Sequence, residues 1–120
     1  MTLEIKLENS CYFPGHILVG TVVWNFDSPP AKLSLALMWQ TSGKGTDDSE
    51  TVYSDDWCPE SNSGEKKFQI QLPRGPISVQ GNLISIGWRI ECTSKRPNAT
   101  NIKPFVLSHI NQPIRLNPVV

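Results

Sequence analysis

The sequence predicts an all-β protein, a sandwich of two mostly antiparallel sheets built from seven or eight strands. Three observations predict it. Apolar residues recur at every second position in almost every candidate element, which is the period of a strand with one dry face. Clusters of Pro, Gly, Asn, Asp and Ser separate these elements at the intervals typical of sandwiches. The stretch KFQIQLPRGPISVQGNLISIGWRIEC, residues 67–92, joins two half-buried strands through a stiff connection. In it Phe68, Ile70 and Leu72 alternate with Gln69 and Gln71, and Ile84, Ile86, Trp88 and Ile90 alternate with Ser85, Gly87, Arg89 and Glu91. Between them Pro73 and Pro76 fix φ and remove two donors while Gly75 and Gly81 permit positive φ, so the chain crosses over instead of forming a two-residue hairpin.

In chain order, TLEIKLE (2–8) alternates Leu3, Ile5 and Leu7 with charged residues, and those charges suit a sheet edge. Tyr12-Phe13-Pro14-Gly15 punctuates the chain before HILVGTVVWNF (16–26), a strand rich in β-branched residues whose Gly20 marks a bulge or a close backbone approach. Asp27-Ser28-Pro29-Pro30 is a turn. KLSLALMWQ (32–40) then sets Leu33, Leu35, Leu37 and Trp39 against Ser34, Ala36, Met38 and Gln40; Leu, Ala and Met favour helix, but the strict alternation decides for strand. The polar run 41–64 reads as a flexible tip at 41–49, a short strand near 50–57 and a loop at 58–64. After a loop at 93–101, IKPFVLSHI and PIRLN supply one or two last strands, whose Pro104 and Pro113 favour edge or terminal positions. The core is expected to hold Leu3, Ile5, Val22, Trp24, Leu35, Leu37, Trp39, Phe68, Ile70, Ile84, Ile86, Trp88 and Phe105.

With 120 residues the chain is the length of one domain, 1–120, able to bury roughly 65–70% of its unfolded surface. Eleven basic and eleven acidic residues cancel, so no general field steers the molecule to nucleic acid or an anionic membrane. No apolar run approaches the roughly 18 residues of a membrane span, and Met1 leads directly into an alternating strand, so the expected address is cytoplasmic, without membrane insertion. Cys11, Cys58 and Cys92 are odd in number and lack CxxC spacing, which predicts free thiols and neither a disulfide framework nor a zinc site. The acceptor triplet Asn98-Ala99-Thr100 is accidental under the same address.

Taken together, Tyr12-x-Pro14-Gly15-x-Ile17-x-x-Gly20, then Phe68-x-Ile70-x-Leu72-Pro73-x-Gly75-Pro76-x-Ser78-x-x-Gly81, then Ile86-x-Trp88 resemble the arrestin N-terminal-like domain family in order and approximate spacing. The resemblance implies an immunoglobulin-like, arrestin-like β-sandwich that binds other proteins as a scaffold without catalysis. His16, Val79 and Trp88 depart from the family pattern, and the chain ends after about one sandwich where many arrestin-like proteins have two. A single-domain relative of bacterial type is the form it resembles best.

No residue pattern points to an enzyme. His16 and His109 lie in no triad-like context, and phosphate-cradling or dinucleotide motifs are absent from the sequence, so no catalytic residue, cofactor or metal is expected. Asp47-Asp48 and Asp55-Asp56 offer hard oxygen donors, but without EF-hand spacing they read as a solvated acidic loop. Arg89, Lys66, Lys67, Lys95 and Arg96 would form an anion-binding patch only if their strands were neighbours. The expected partner is another protein, held on the segment Gly43 to Trp57, with Lys44, Asp47, Asp48, Tyr53 and Trp57 as contact residues; a homodimer through a sheet edge is a further expectation. Trp57 has two readings, an exposed anchor or a residue packed under the loop. The alternative function is a small-ligand or carbohydrate-binding sandwich of an extracytoplasmic protein, with Trp57 and the Asp pairs as its site.

Overall fold

The computed structural model describes residues 2–43, 48–81, 84–109 and 114–116. It contains ten strands: β1 (Thr2–Leu7), β2 (Cys11–Tyr12), β3 (Ile17–Asn25), β4 (Lys32–Gly43), β5 (Asp48–Trp57), β6 (Ser63–Gln71), β7 (Val79–Gly81), β8 (Ile84–Lys95), β9 (Ala99–Leu107) and β10 (Ile114–Leu116). No helix occurs among the described residues, so none is long and apolar enough to cross a membrane. Seven or eight strands are expected from alternation, and all of those segments, including both candidate last strands, are present. The two additional ones, β2 and β7, are two and three residues long, too short to show any period.

The small sheet has the antiparallel order β1-β3-β6. In the large sheet β4 lies between β5 and β8, with antiparallel pairing throughout. Along its other side β8 pairs with β7 at one end and with β9 over the rest. Two short parallel pairs, β2 with β9 and β10 with β7, complete the sheet. The chain is therefore an all-β sandwich of two mostly antiparallel sheets.

The dry faces meet as the alternation requires. Ile5, Val22, Trp24, Leu35, Leu37, Phe68, Ile70, Trp88 and Phe105 are buried, and Leu18, Leu33, Leu72, Ile90, Cys92 and Leu107 join them. Four expected core residues differ. Leu3 and Trp39 are only partly buried and pack on the rim of the core. Ile86 is half-buried and Ile84 is 47% exposed. The cause is length: β4 and β8 run for twelve residues each, whereas no strand of the small sheet exceeds nine. The apolar face of the large sheet outruns its cover where Ile84 pairs with Gly43 and Ile86 with Thr41.

The crossover is fixed by specific bonds. Gly15, at φ 80°, donates its N–H to the Pro73 carbonyl (3.2 Å), and Leu72 donates to the His16 carbonyl (2.8 Å), so the turn before β3 holds the start of the crossover. Farther on, Ser78 is buried and exchanges backbone and hydroxyl bonds with Leu107, at 2.7 and 2.9 Å. The indole Nε1 of Trp88 donates to the Pro76 carbonyl at 2.6 Å. Gly20 marks a close approach and not a bulge: the β1–β3 and β3–β6 registers run through it without a shift, and a Cβ there would lie 2.5 Å from Phe68 Cζ.

Candidate protein-interaction surface

The segment expected to carry contacts is more ordered than its composition suggests. Residues 41–43 and 48–49, expected to form part of a flexible tip, extend β4 and β5, and pairing continues to Thr41 opposite Asp48. The Thr41 hydroxyl accepts the Asp48 N–H (3.1 Å) and lies 3.4 Å from the Asp48 carbonyl, giving this polar end of the hairpin local anchors that hydropathy does not register. Lys44 and Asp47 lie outside the described residues.

β5 is the last strand of the large sheet and, among the described residues, pairs only with β4. Its register assigns its faces. Trp57, Asp55 and Tyr53 stand opposite the buried Leu33, Leu35 and Leu37 and so point toward the small sheet. The register then shifts between Leu37 and Met38, leaving Val52 as an extra residue, and resumes with Glu50 opposite Trp39 and Asp48 opposite Thr41. The facing edge of the small sheet is β6, where Lys66 pairs with the buried Val22 and shares the inward face of Phe68 and Ile70.

At one end the two edges are plugged. The Lys66 ammonium sits 4.5 Å from the centroid of the Trp57 ring and 3.5 Å from an Asp55 carboxylate oxygen, linking the sheets by a cation–π contact and an ion pair. Trp57 packs on Trp24 with ring centroids 6.3 Å apart. The exposed-anchor reading of Trp57 is thereby corrected: the residue is partly buried against the core, and its Nε1 is buried without an acceptor. The polar sequence around it concealed this, because Trp24 and Lys66 come from distant strands.

At the other end the edges diverge around a cleft of about 510 Å³, with Leu37, Ile70 and Leu72 as its floor and Val52 and Tyr53 on the β5 side. Val52 is 39% and Tyr53 37% exposed. Asp48 and Glu50 are exposed and belong to no ion pair among the described residues.

Among the described residues the alternative ligand site is not assembled; Asp47 lies outside them. Asp55 and Asp56 are on opposite faces of β5; Asp55 pairs with Lys66, and Asp56 with Lys32 at 3.1 Å. The Ser34 hydroxyl and then Lys32 hold the Asp56 carboxyl below its ordinary range. Among the described residues no three metal-ligating side chains converge, and Trp57 already has Trp24 and Lys66 against its ring. The conceivable basic patch is dispersed as well. Lys66 and Lys67 are in the small sheet, while Arg89 in the large sheet bonds Gln40 and lies 3.5 Å from Glu91. The cysteines are unpaired: Cys58 is exposed, Cys11 intermediate and Cys92 buried, its thiol pushed up to about 11 by desolvation.

No protein-family model matches the chain, and no curated protein matches it in sequence. Solved structures do resemble it. One is Spo0M, the sporulation control protein of Bacillus subtilis, which has an arrestin-like fold and superposes with a TM-score of 0.65 at 19% identity over 89% of this chain. The chain spans about half the length of that protein, covering 49% of it. The likeness carries the fold, and the fold is arrestin-like.

Proposed function

We propose that this chain is a non-catalytic protein-interaction module, a scaffold or adaptor domain, whose contact surface is the open flank from Gly43 to Trp57. The observation that carries the reading is the contrast between a ten-residue edge strand whose outer side pairs with no strand among the described residues, with Val52 and Tyr53 exposed beside a cleft, and the capped opposite edge, where the Ile5 N–H is taken by Asn101 Oδ1 at 3.1 Å. Function on such sandwiches lies in sites grafted on the frame, so the flank and not the fold supports the reading. A sporulation control protein of the same fold fits a regulatory role. Unpaired thiols favour a reducing, cytoplasmic compartment.

Within the flank, Asp48 and Tyr53 are the contact residues, with Lys44 and Asp47 assigned to the adjoining tip. Trp57 supports the edge from within. The test is site-specific photo-crosslinking in cells of the source organism, with the probe at Tyr53 or, separately, at Glu4 on β1. A partner trapped from Tyr53 and not from Glu4 is the expected result; trapping from Glu4 alone would refute the assignment.

A further inference from the structure

Resting on that reading, we infer that the open flank takes an extended cationic peptide as an added strand on β5, with the side-chain pattern apolar-x-basic-x-basic. The backbone supplies the first reason. An edge strand turns the N–H and C=O of alternate residues outward, and most native edges are blunted by proline, lysine, an inward charge or a cover. Each other long edge has such a device, whereas those of β5, the inward Asp55 and the bulge at Val52, leave the stretch from Asp48 to Thr51 exposed. Asn101 caps β1, β9 contains Pro104, and β6 carries the inward Lys66. Residues 48–57 contain no Pro, Gly or Lys, and their centre, Thr51-Val52-Tyr53, is strongly strand-forming.

The register supplies the pattern. On the face turned to the small sheet β5 presents Tyr53, then Glu50 and Asp48 beyond the bulge. An incoming strand would place one side chain beside Tyr53, over the cleft floor of Leu37, Ile70 and Leu72, which takes an apolar group. Its next two side chains on that face would stand opposite Glu50 and Asp48, carboxylates outside any ion pair among the described residues. Directly opposed unlike charges favour pairing and like charges disfavour it. The same rule argues against a second copy, because two β5 strands laid antiparallel would set Asp48 and Glu50 against the acidic half of their twin, Asp55 and Asp56.

The probes are labelled synthetic peptides in which threonine alternates with Leu, Lys and Lys, made in both chain directions, each with a Glu-for-Lys counterpart, and measured against the whole protein by fluorescence anisotropy. One Lys peptide is expected to bind, the Glu peptides not, and raising salt from about 50 to about 300 mM should weaken binding severalfold. The double variant Asp48→Lys, Glu50→Lys, on an exposed surface that leaves the fold intact, should lose roughly tenfold or more in affinity. N-methylating alternate peptide residues separates strand addition from loose charge attraction: one methylated set should abolish binding and the other leave it. Equal binding by Lys and Glu peptides, or indifference to both methylated sets, would overturn the inference. So would a dimer in sedimentation that Tyr53→Lys dissolves. If a partner crosslinks at Tyr53 while the peptides fail, strand addition falls and the interaction flank stands; crosslinking from Glu4 alone removes both.

Discussion

The two flanks of this sandwich are built from the same alternating strands and end in opposite states. On the β1/β9 side, Asn101 reaches from β9 to bond the Ile5 N–H, β2 adds to β9, and Tyr12, Phe105 and Trp88 form an aromatic chain with centroids 5.8 and 6.0 Å apart. On the β5/β6 side, Trp57, Lys66 and Asp55 join the sheets at one end only, and the other end opens into the cleft. The difference teaches that closing a sandwich edge takes both a polar cap for the backbone and apolar mass behind it. The closed flank has both. The open flank has the mass of Trp57 and an ion pair, and leaves the β5 backbone free.

The sharpest way to break this contrast is Trp88→Ala. Trp88 is 1% exposed, touches Phe105 and bonds the crossover, and deleting a buried aromatic of this kind costs about 3–5 kcal/mol. Denaturant unfolding should show that loss, whereas Tyr53→Ala on the open flank should stay within about 0.5 kcal/mol of the parent.

A pH profile separates the flanks next. Cys92 pairs with Asn101 across β8 and β9, and its thiol stands at about 11 in the fold against an ordinary value of 9. Between those values the unfolded chain loses the proton that the folded one keeps, so stability must fall as pH rises, by on the order of 2 kcal/mol in total. The buried Tyr12, also raised by desolvation, adds to the decline in the same direction above its ordinary value. Thermal melts from pH 8 to 11 should flatten in Cys92→Val. Asp56 has the opposite sign, its lowered carboxyl stabilising above the ordinary carboxylate value and losing that contribution as pH falls, but its exposure keeps the effect small.

Trp57→Ala should cost about 1–2 kcal/mol, less than Trp88 because the Trp57 ring is only partly buried. Asn101→Ala should cost about 1 kcal/mol, with faster hydrogen exchange confined to the Ile5 amide and its neighbours. Smallest of all, Lys66→Met should change stability by no more than about 0.5 kcal/mol, since both partners of its ion pair are near 40% exposed. A larger loss would mean that the open flank is held by charge and not by the tryptophan.

Alternation made the frame legible. Phe68, Ile70, Trp88 and Ile90 announced two half-buried strands, and the prolines and glycines between them announced a crossover; the motifs around Pro14-Gly15 and Pro73 proved to be bonded to each other. The inward position of Lys66, read in the sequence only as a member of a conceivable basic patch, was hidden because Ser63-Gly64-Glu65-Lys66-Lys67 has no apolar period, although its register with β3 turns Lys66 inward. Ile84 was assigned to the core because it kept the period, and it is exposed because the small sheet does not extend that far.

By itself, then, the sequence determined where the long alternating strands lie and which face of each is dry, since a two-residue period is a property of a few neighbouring side chains and the pleated backbone. Only the tertiary structure decided which strands became edges, that Asn101 would cap one of them, that Trp57 would rest on Trp24, and that β5 would have β4 on one side and no strand among the described residues on the other. Those outcomes depend on strand lengths and on partners 33 or 96 residues apart in the chain, the separations between Trp24 and Trp57 and between Ile5 and Asn101, and no local pattern encodes who arrives across such a gap.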